Sequence, residues 1–137
     1  PEFNQYGANI VSNAQTLANT LIANGVNVVS GGTDTHMVLL DLSAQNLKGQ
    51  LLQDALALVN ITSNKNPVPF DSPKPADWVG LRLGVAAATT REFGNAEFDK
   101  LGGIISDMVK HCEQPPESLL SEHKGTVLEI CKRFPIY

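Results

Sequence analysis

The sequence predicts a two-layer α/β sandwich, a small mixed or antiparallel sheet covered by helices, on three observations. Four stretches repeat apolar residues every three or four positions, as helices with one buried face do. Four shorter apolar runs have strand length. Their order is helix, two strands, helix, short strand, long loop, strand, then two helices, which fits a single small sheet backed by helices. No period of repeat length and no low-complexity tract divides the 137 residues, so residues 1–137 are expected to form one domain.

The first helix is expected from about Phe3 to Asn24. Ile10, Ala14, Leu17 and Leu21 form its stripe, Val11, Ala18 and Ile22 widen it, and Gly25 stops it. Val26 to Ser30 reads as a strand, Gly31 to Asp34 as a turn, and Met37 to Leu42 as a second strand. Leu47 to Val59 reads as a helix burying Leu47, Leu51, Leu52, Ala55, Leu58 and Val59, with Gln50, Gln53 and Asp54 facing water. Ile61 to Ser63 is a short β-type run. A third helix is expected over about Asn95 to Cys112, with Asn95 as N-cap and Gly102-Gly103 marking close packing. The last runs from Pro116 to about Phe134, burying Leu119, Leu120, Val127, Leu128 and Cys131, and Pro135 ends it.

Composition excludes several classes. A net charge of -4, with ten basic residues scattered along the chain, argues against a nucleic-acid partner. No apolar run approaches the roughly 20 residues of a membrane span, and no signal-like start is visible, so a cytoplasmic setting is the expectation. Cys112 and Cys131 have no metal-binding or redox spacing and are read as free thiols. His111 and Cys112 are neighbours on a helix and point about 100° apart, so they do not converge. Asp34 and His36 are read as holding the turn rather than as an acid/base pair.

The stretch from Asn60 to Arg91 is where chemistry is expected. Asn64-Lys65-Asn66 suits unusual backbone, and Pro67, Pro69, Pro73 and Pro75 impose a stiff extended loop. In Val79 to Val85 an arginine, Arg82, interrupts an apolar β run between glycines. On a mostly buried strand such a guanidinium needs an anion. Two readings stay open on the residues alone: a structural ion pair within the chain, or the carboxylate of a ligand gripped by the planar fork.

Four motifs in order, SGGTDTHMVLLDL (30–42), ITSNKNPVPFD (61–71), GLRLG (80–84) and TTREFG (89–94), resemble the C-terminal part of serine hydroxymethyltransferase. The resemblance extends from the opening PEF to the closing GTVLEICKRFPIY. It implies the small C-terminal domain of a fold-type I pyridoxal-phosphate enzyme, and tips the reading of Arg82 towards the carboxylate of the serine or glycine substrate. Asn66 matches a residue that contacts the folate cosubstrate, and Lys74, Pro75 and Ala76 occupy the place of another folate-contacting segment. The aromatic usual there is missing, and Trp78 is the nearby substitute. Arg91 matches a family arginine read as structural or adjacent to the site. Pro67, Val85-Ala86 and Glu92 depart from the family pattern and change loop stiffness.

The resemblance also implies what this chain lacks. The family's cofactor-anchoring lysine and its phosphate-binding residues belong to a motif absent here, and neither Lys65 nor Lys74 stands in for it. The expectation is a domain that supplies substrate and folate contacts, has no catalytic residue of its own, binds no pyridoxal phosphate alone and is inactive alone. Its partners would be the N-terminal and large domains of the same enzyme, which would act as a homodimer or homotetramer and transfer the serine hydroxymethyl group to tetrahydrofolate. A free-standing binding or interaction module of the same fold is the competing reading. Another fold-type I enzyme, such as an aminotransferase, would keep the arginine but gives no reason for the NKN loop.

Overall fold

A computed structural model describes residues 2–29, 37–69, 71–84 and 93–133, with side chains from residue 8 onwards. Helix α1 spans Glu2–Ala23, α2 Gly49–Ala57, α3 Asn95–Lys110 and α4 Glu117–Arg133. Strands β1 (Asn27–Val28), β2 (Met37–Asp41), β3 (Asn64–Asn66) and β4 (Gly80–Gly84) make one sheet in the order β1-β2-β4-β3. Every pairing is antiparallel. The predicted sandwich is therefore observed, with its sheet antiparallel rather than mixed.

Strand alternation sorts the sheet into two faces. Val28, Val38, Leu40, Leu81 and Leu83 are buried against the helices. From α1 the core receives Ala14, Leu17, Ala18 and Leu21, and from α3 Phe98, Ile104, Ile105, Met108 and Val109. Helix α1 lies close along α3: a Cβ placed on Gly102 would sit 2.8 Å from Thr20 Cβ and Cγ2. Beside that contact Thr20 Oγ1 donates to Asp99 Oδ1 at 2.6 Å, and Asn13 Nδ2 donates to the Phe93 carbonyl at 3.0 Å. Gly103, by contrast, has open space around it among the described residues. His123 of α4 is buried and meets Asp107 of α3 at 3.2 Å.

The helix ends follow from local chemistry. Gly25 has φ +86°, its N–H reaches the Ile22 carbonyl, and Val26 N–H reaches Leu21, the paired bonds of a Schellman turn. Asn60, at φ 65°, closes α2 in the same way, with Asn60 N–H to Ala57 and Ile61 N–H to Leu56. Asparagine tolerates this left-handed geometry better than other residues with a Cβ.

Several expectations are corrected. The short strand is Asn64–Asn66, not Ile61–Ser63, because Ile61 is spent on the turn that ends α2. The residue capping α3 is Gly94, whose N–H is held by Glu97 Oε1 at 2.7 Å; Asn95 is already inside the helix. Ile22, Leu51, Leu58 and Leu128 are exposed, while Leu56 and Ile130 are buried. Gln53, expected to face water, accepts the Lys65 N–H at 2.8 Å and ties α2 to β3. The expectations for Ser30 to His36, Val85, Ala86, Arg91, Glu92 and Phe134 to Pro135 lie outside the described residues.

Candidate functional site

The face of the sheet opposite the helices carries the predicted site residues. In G-L-R-L-G the alternation buries Leu81 and Leu83 and leaves Arg82 exposed, which corrects the expectation of a buried guanidinium. Among the described residues the Arg82 side chain has neither an ion pair nor a hydrogen bond. The structural ion-pair reading loses its premise, since a solvated guanidinium does not require an internal anion.

Register places the neighbours of Arg82. Asn64 of β3 and Leu39 of β2 stand directly opposite it, one on each side. Asn66 stands opposite Gly80, two residues from Arg82 and on the same face. The structure thus brings Arg82 and Asn66 onto one surface. Asn66 Nδ2 donates to the Pro67 carbonyl at 3.0 Å, leaving its Oδ1 without a partner among the described residues.

Lys74, Pro75 and Ala76 are exposed in a loop that ends in a single 3₁₀ turn, Pro75–Asp77. One carboxylate organises this loop. Asp71 Oδ2 accepts the Val68 and Val79 N–H groups at 3.1 and 3.0 Å, and Oδ1 accepts Ser72 N–H at 2.8 Å. Burial, the largest single influence, pushes the Asp71 carboxyl pKa up, but the three N–H groups and the charge of Lys48 together hold it below its usual 3.8. The Trp78 indole donates to the Ser72 carbonyl at 3.0 Å, so this aromatic is fastened to the loop's own backbone. Lys48 and Asp77 form a surface ion pair at 3.1 Å. Sequence reasoning passed over Asp71, and it read Asn64 as part of an unusual backbone stretch where the structure has a regular strand. An Asp ahead of Ser-Pro is a turn signal that could have pointed to Asp71.

Two glycines let three backbones meet beside Arg82. A Cβ on Gly80 would collide with the Asn66 carbonyl oxygen, and one on Gly49 with the Gly80 carbonyl oxygen. The first turn of α2, β4 and β3 are packed backbone to backbone there.

The described residues do not fit a lysine-anchored pyridoxal phosphate. Lys65 lies between Asn64 and Asn66 and so points to the other face from Arg82, and Lys74 is exposed in the loop. No group of three or more His, Cys, Asp or Glu among the described residues could hold a metal ion. His111 is exposed and Cys112 buried, so this pair does not converge. Burial and the neighbouring Glu113 charge push the Cys112 thiol to about 11. A cavity of about 250 Å³, bordered by Leu83, Phe98, Ile105 and Val127, lies on the helix side of the sheet. None of the described helices is long and apolar enough to cross a membrane.

Fold and surface together define a small α/β sandwich that presents an outward arginine and two asparagines on the face the described helices leave open. The family model of serine hydroxymethyltransferase matches residues 1–105, and the chain belongs to that family. It is 53% identical to a 2-methylserine hydroxymethyltransferase of a Paracoccus species, over all of this chain and 32% of the relative. The corresponding enzyme of an Aminobacter species is 49% identical, and a serine hydroxymethyltransferase of Prochlorococcus marinus (strain AS9601) 48%, over the same shares. The chain spans about a third of the length of these curated relatives.

Proposed function

We propose that the chain is the C-terminal domain of a hydroxymethyltransferase, and that it contributes one wall of the site for a β-hydroxy amino acid and a folate. The observation that supports this best is the exposed guanidinium of Arg82, unpaired among the described residues, on a surface shared with Asn66. Arg82 grips the carboxylate of the amino acid through two parallel hydrogen bonds. This contact orients the substrate without moving a proton, a positioning contribution that fixes which bond at Cα faces the reacting group. Asn66 offers its free Oδ1 to the folate, and the exposed 74–76 segment flanks the same ligand.

Pyridoxal phosphate, held by residues outside this chain, supplies the electron sink when bound. The reaction removes the hydroxymethyl carbon of serine to tetrahydrofolate, leaving glycine. Because relatives named for 2-methylserine and for serine are both similar to the chain, the substrate class is serine with or without a methyl group on Cα. Removing the same carbon from 2-methylserine leaves alanine.

The test is an assay of the full-length protein for folate-dependent formation of glycine from serine and alanine from 2-methylserine. Formation of neither product would overturn the reading. Asn66→Ala should lower the folate-dependent rate by about 2- to 12-fold, the effect of one hydrogen bond, and spare folate-independent cleavage of a β-hydroxy amino acid. Equal losses in the two reactions would make Asn66 structural.

A further inference from the structure

We propose that Asp71 is a positioning residue for Asn66, acting through the single peptide that joins Pro67 to Val68. The inference rests on the folate contact proposed above for Asn66. Its first support is an unbroken chain of contacts. Asn66 Nδ2 donates to the Pro67 carbonyl at 3.0 Å, and the N–H of that same peptide, on Val68, donates to Asp71 Oδ2 at 3.1 Å. The C=O and N–H of a trans peptide lie in one plane and point in opposite directions, so whatever fixes the N–H also fixes the carbonyl on which the Asn66 amide rests.

The second support is that Asp71 is itself a fixed post. Its Oδ2 also accepts the Val79 N–H at 3.0 Å, and its Oδ1 accepts the Ser72 N–H at 2.8 Å. Val79 leads directly into β4, and its carbonyl accepts the Leu42 N–H at 2.8 Å, so the carboxylate ties the Pro67–Val68 peptide to the body of the sheet. Among the described residues nothing else holds that N–H. Pro67 and Pro69, on either side of Val68, have no N–H with which to fasten the exit of β3.

The third support is the polarity of the contact. A carboxamide has one donor end and one acceptor end, and a carbonyl oxygen receives only the donor. A Pro67 carbonyl held in place therefore keeps the Asn66 NH2 turned towards itself and directs Oδ1, which has no partner among the described residues, to an N–H donor of the ligand. Release of the peptide removes that constraint, and a carboxamide free to turn over offers the ligand its NH2 as readily as its oxygen.

A double-mutant cycle in the full-length protein tests this, with KM for tetrahydrofolate and for serine, the rate of folate-independent cleavage of a β-hydroxy amino acid, and a thermal melt of each variant. Asp71→Ala is expected to raise KM for tetrahydrofolate about 2- to 10-fold, and to leave KM for serine and the folate-independent rate close to wild type. In an Asn66→Ala background the same substitution should add no further loss, because its effect passes through the carboxamide. Asp71→Asn keeps a carbonyl oxygen for the Val68 and Val79 N–H groups and should lie closer to wild type than to Asp71→Ala, which separates the hydrogen bonds from the charge. Unchanged KM for tetrahydrofolate in Asp71→Ala, an equal loss in both backgrounds, an Asp71→Asn as impaired as Asp71→Ala, or a matching fall in folate-independent cleavage overturns the inference while leaving Asn66 in its role. If Asn66→Ala itself uses tetrahydrofolate like wild type, the role of Asn66 fails and the positioning by Asp71 fails with it.

Discussion

The carboxylate of Asp71 receives the backbone N–H of Val79 at 3.0 Å, closing the proline-rich loop onto the residue that leads into β4. Val68 N–H shares the same oxygen, so the two ends of the loop are joined through one side chain. Asp71→Ala should speed hydrogen exchange at the Val68, Ser72 and Val79 amides while leaving the α1 and α3 amides protected.

The same carboxylate makes the loop sensitive to acid. Its folded pKa lies below the ordinary 3.8, so its contribution to stability is fully present above that value and is lost as pH falls through the lower folded value. The protection of the Val79 amide, taken relative to its intrinsic exchange rate, should therefore fall as pH drops below the ordinary 3.8, and Asp71→Asn should abolish that step. A step unchanged in Asp71→Asn would assign it to another carboxyl.

Gly102 and Gly103 are adjacent on α3 and should respond oppositely to alanine. At Gly102 the added methyl meets Thr20 at 2.8 Å, and overpacking of this kind costs about 1–3 kcal/mol. At Gly103 nothing among the described residues lies within 4 Å, and replacing a helical glycine by alanine stabilises by about 0.5–1 kcal/mol. Denaturant midpoints of the two variants decide the matter.

Cys112 should resist alkylation in the folded protein. Burial and Glu113 push its thiol to about 11, so the reactive thiolate is scarce near neutral pH. Iodoacetamide at pH 8 should modify Cys112 only once denaturant unfolds α3, and rapid stoichiometric labelling without denaturant would contradict its burial.

Arg82→Ala separates stability from binding. Exposure, with no ion pair among the described residues, places the stability change within about 0.5 kcal/mol, whereas affinity for serine in the full-length protein should fall steeply. A much lower melting temperature with native serine affinity would reverse both halves of the reading.

Much of the fold was legible because its signals are local. Gly25 ends α1 through backbone geometry that its position after the apolar stripe announces, and Leu81-Arg82-Leu83 carries its in-out alternation in three letters. The error on Arg82 came from reading the apolar letters around it as burial of the whole strand, although alternation assigns them to one face only. Strand β3 was misplaced because Ile61 looks like a strand residue, and nothing in its own identity says that it completes a helix-ending turn. Exposure of Ile22, Leu51, Leu58 and Leu128 was not legible either, since periodicity marks an apolar stripe but not how wide the covering layer is. That Asn64 stands opposite Arg82 follows only from β3–β4 register, a relation between residues eighteen positions apart that no local pattern contains.

The meeting of Gly49, Gly80 and the Asn66 carbonyl works as a ratchet stop for the sheet. Were β4 to slip by one residue against β3, the side chain of Leu81 or Val79, depending on direction, would have to enter a slot with no room even for a methyl group. Such a slip would also turn every side chain of β4 over, sending the guanidinium of Arg82 into the core and Leu81 and Leu83 into water. Two absent side chains thereby decide on which side of the sheet the positive charge emerges.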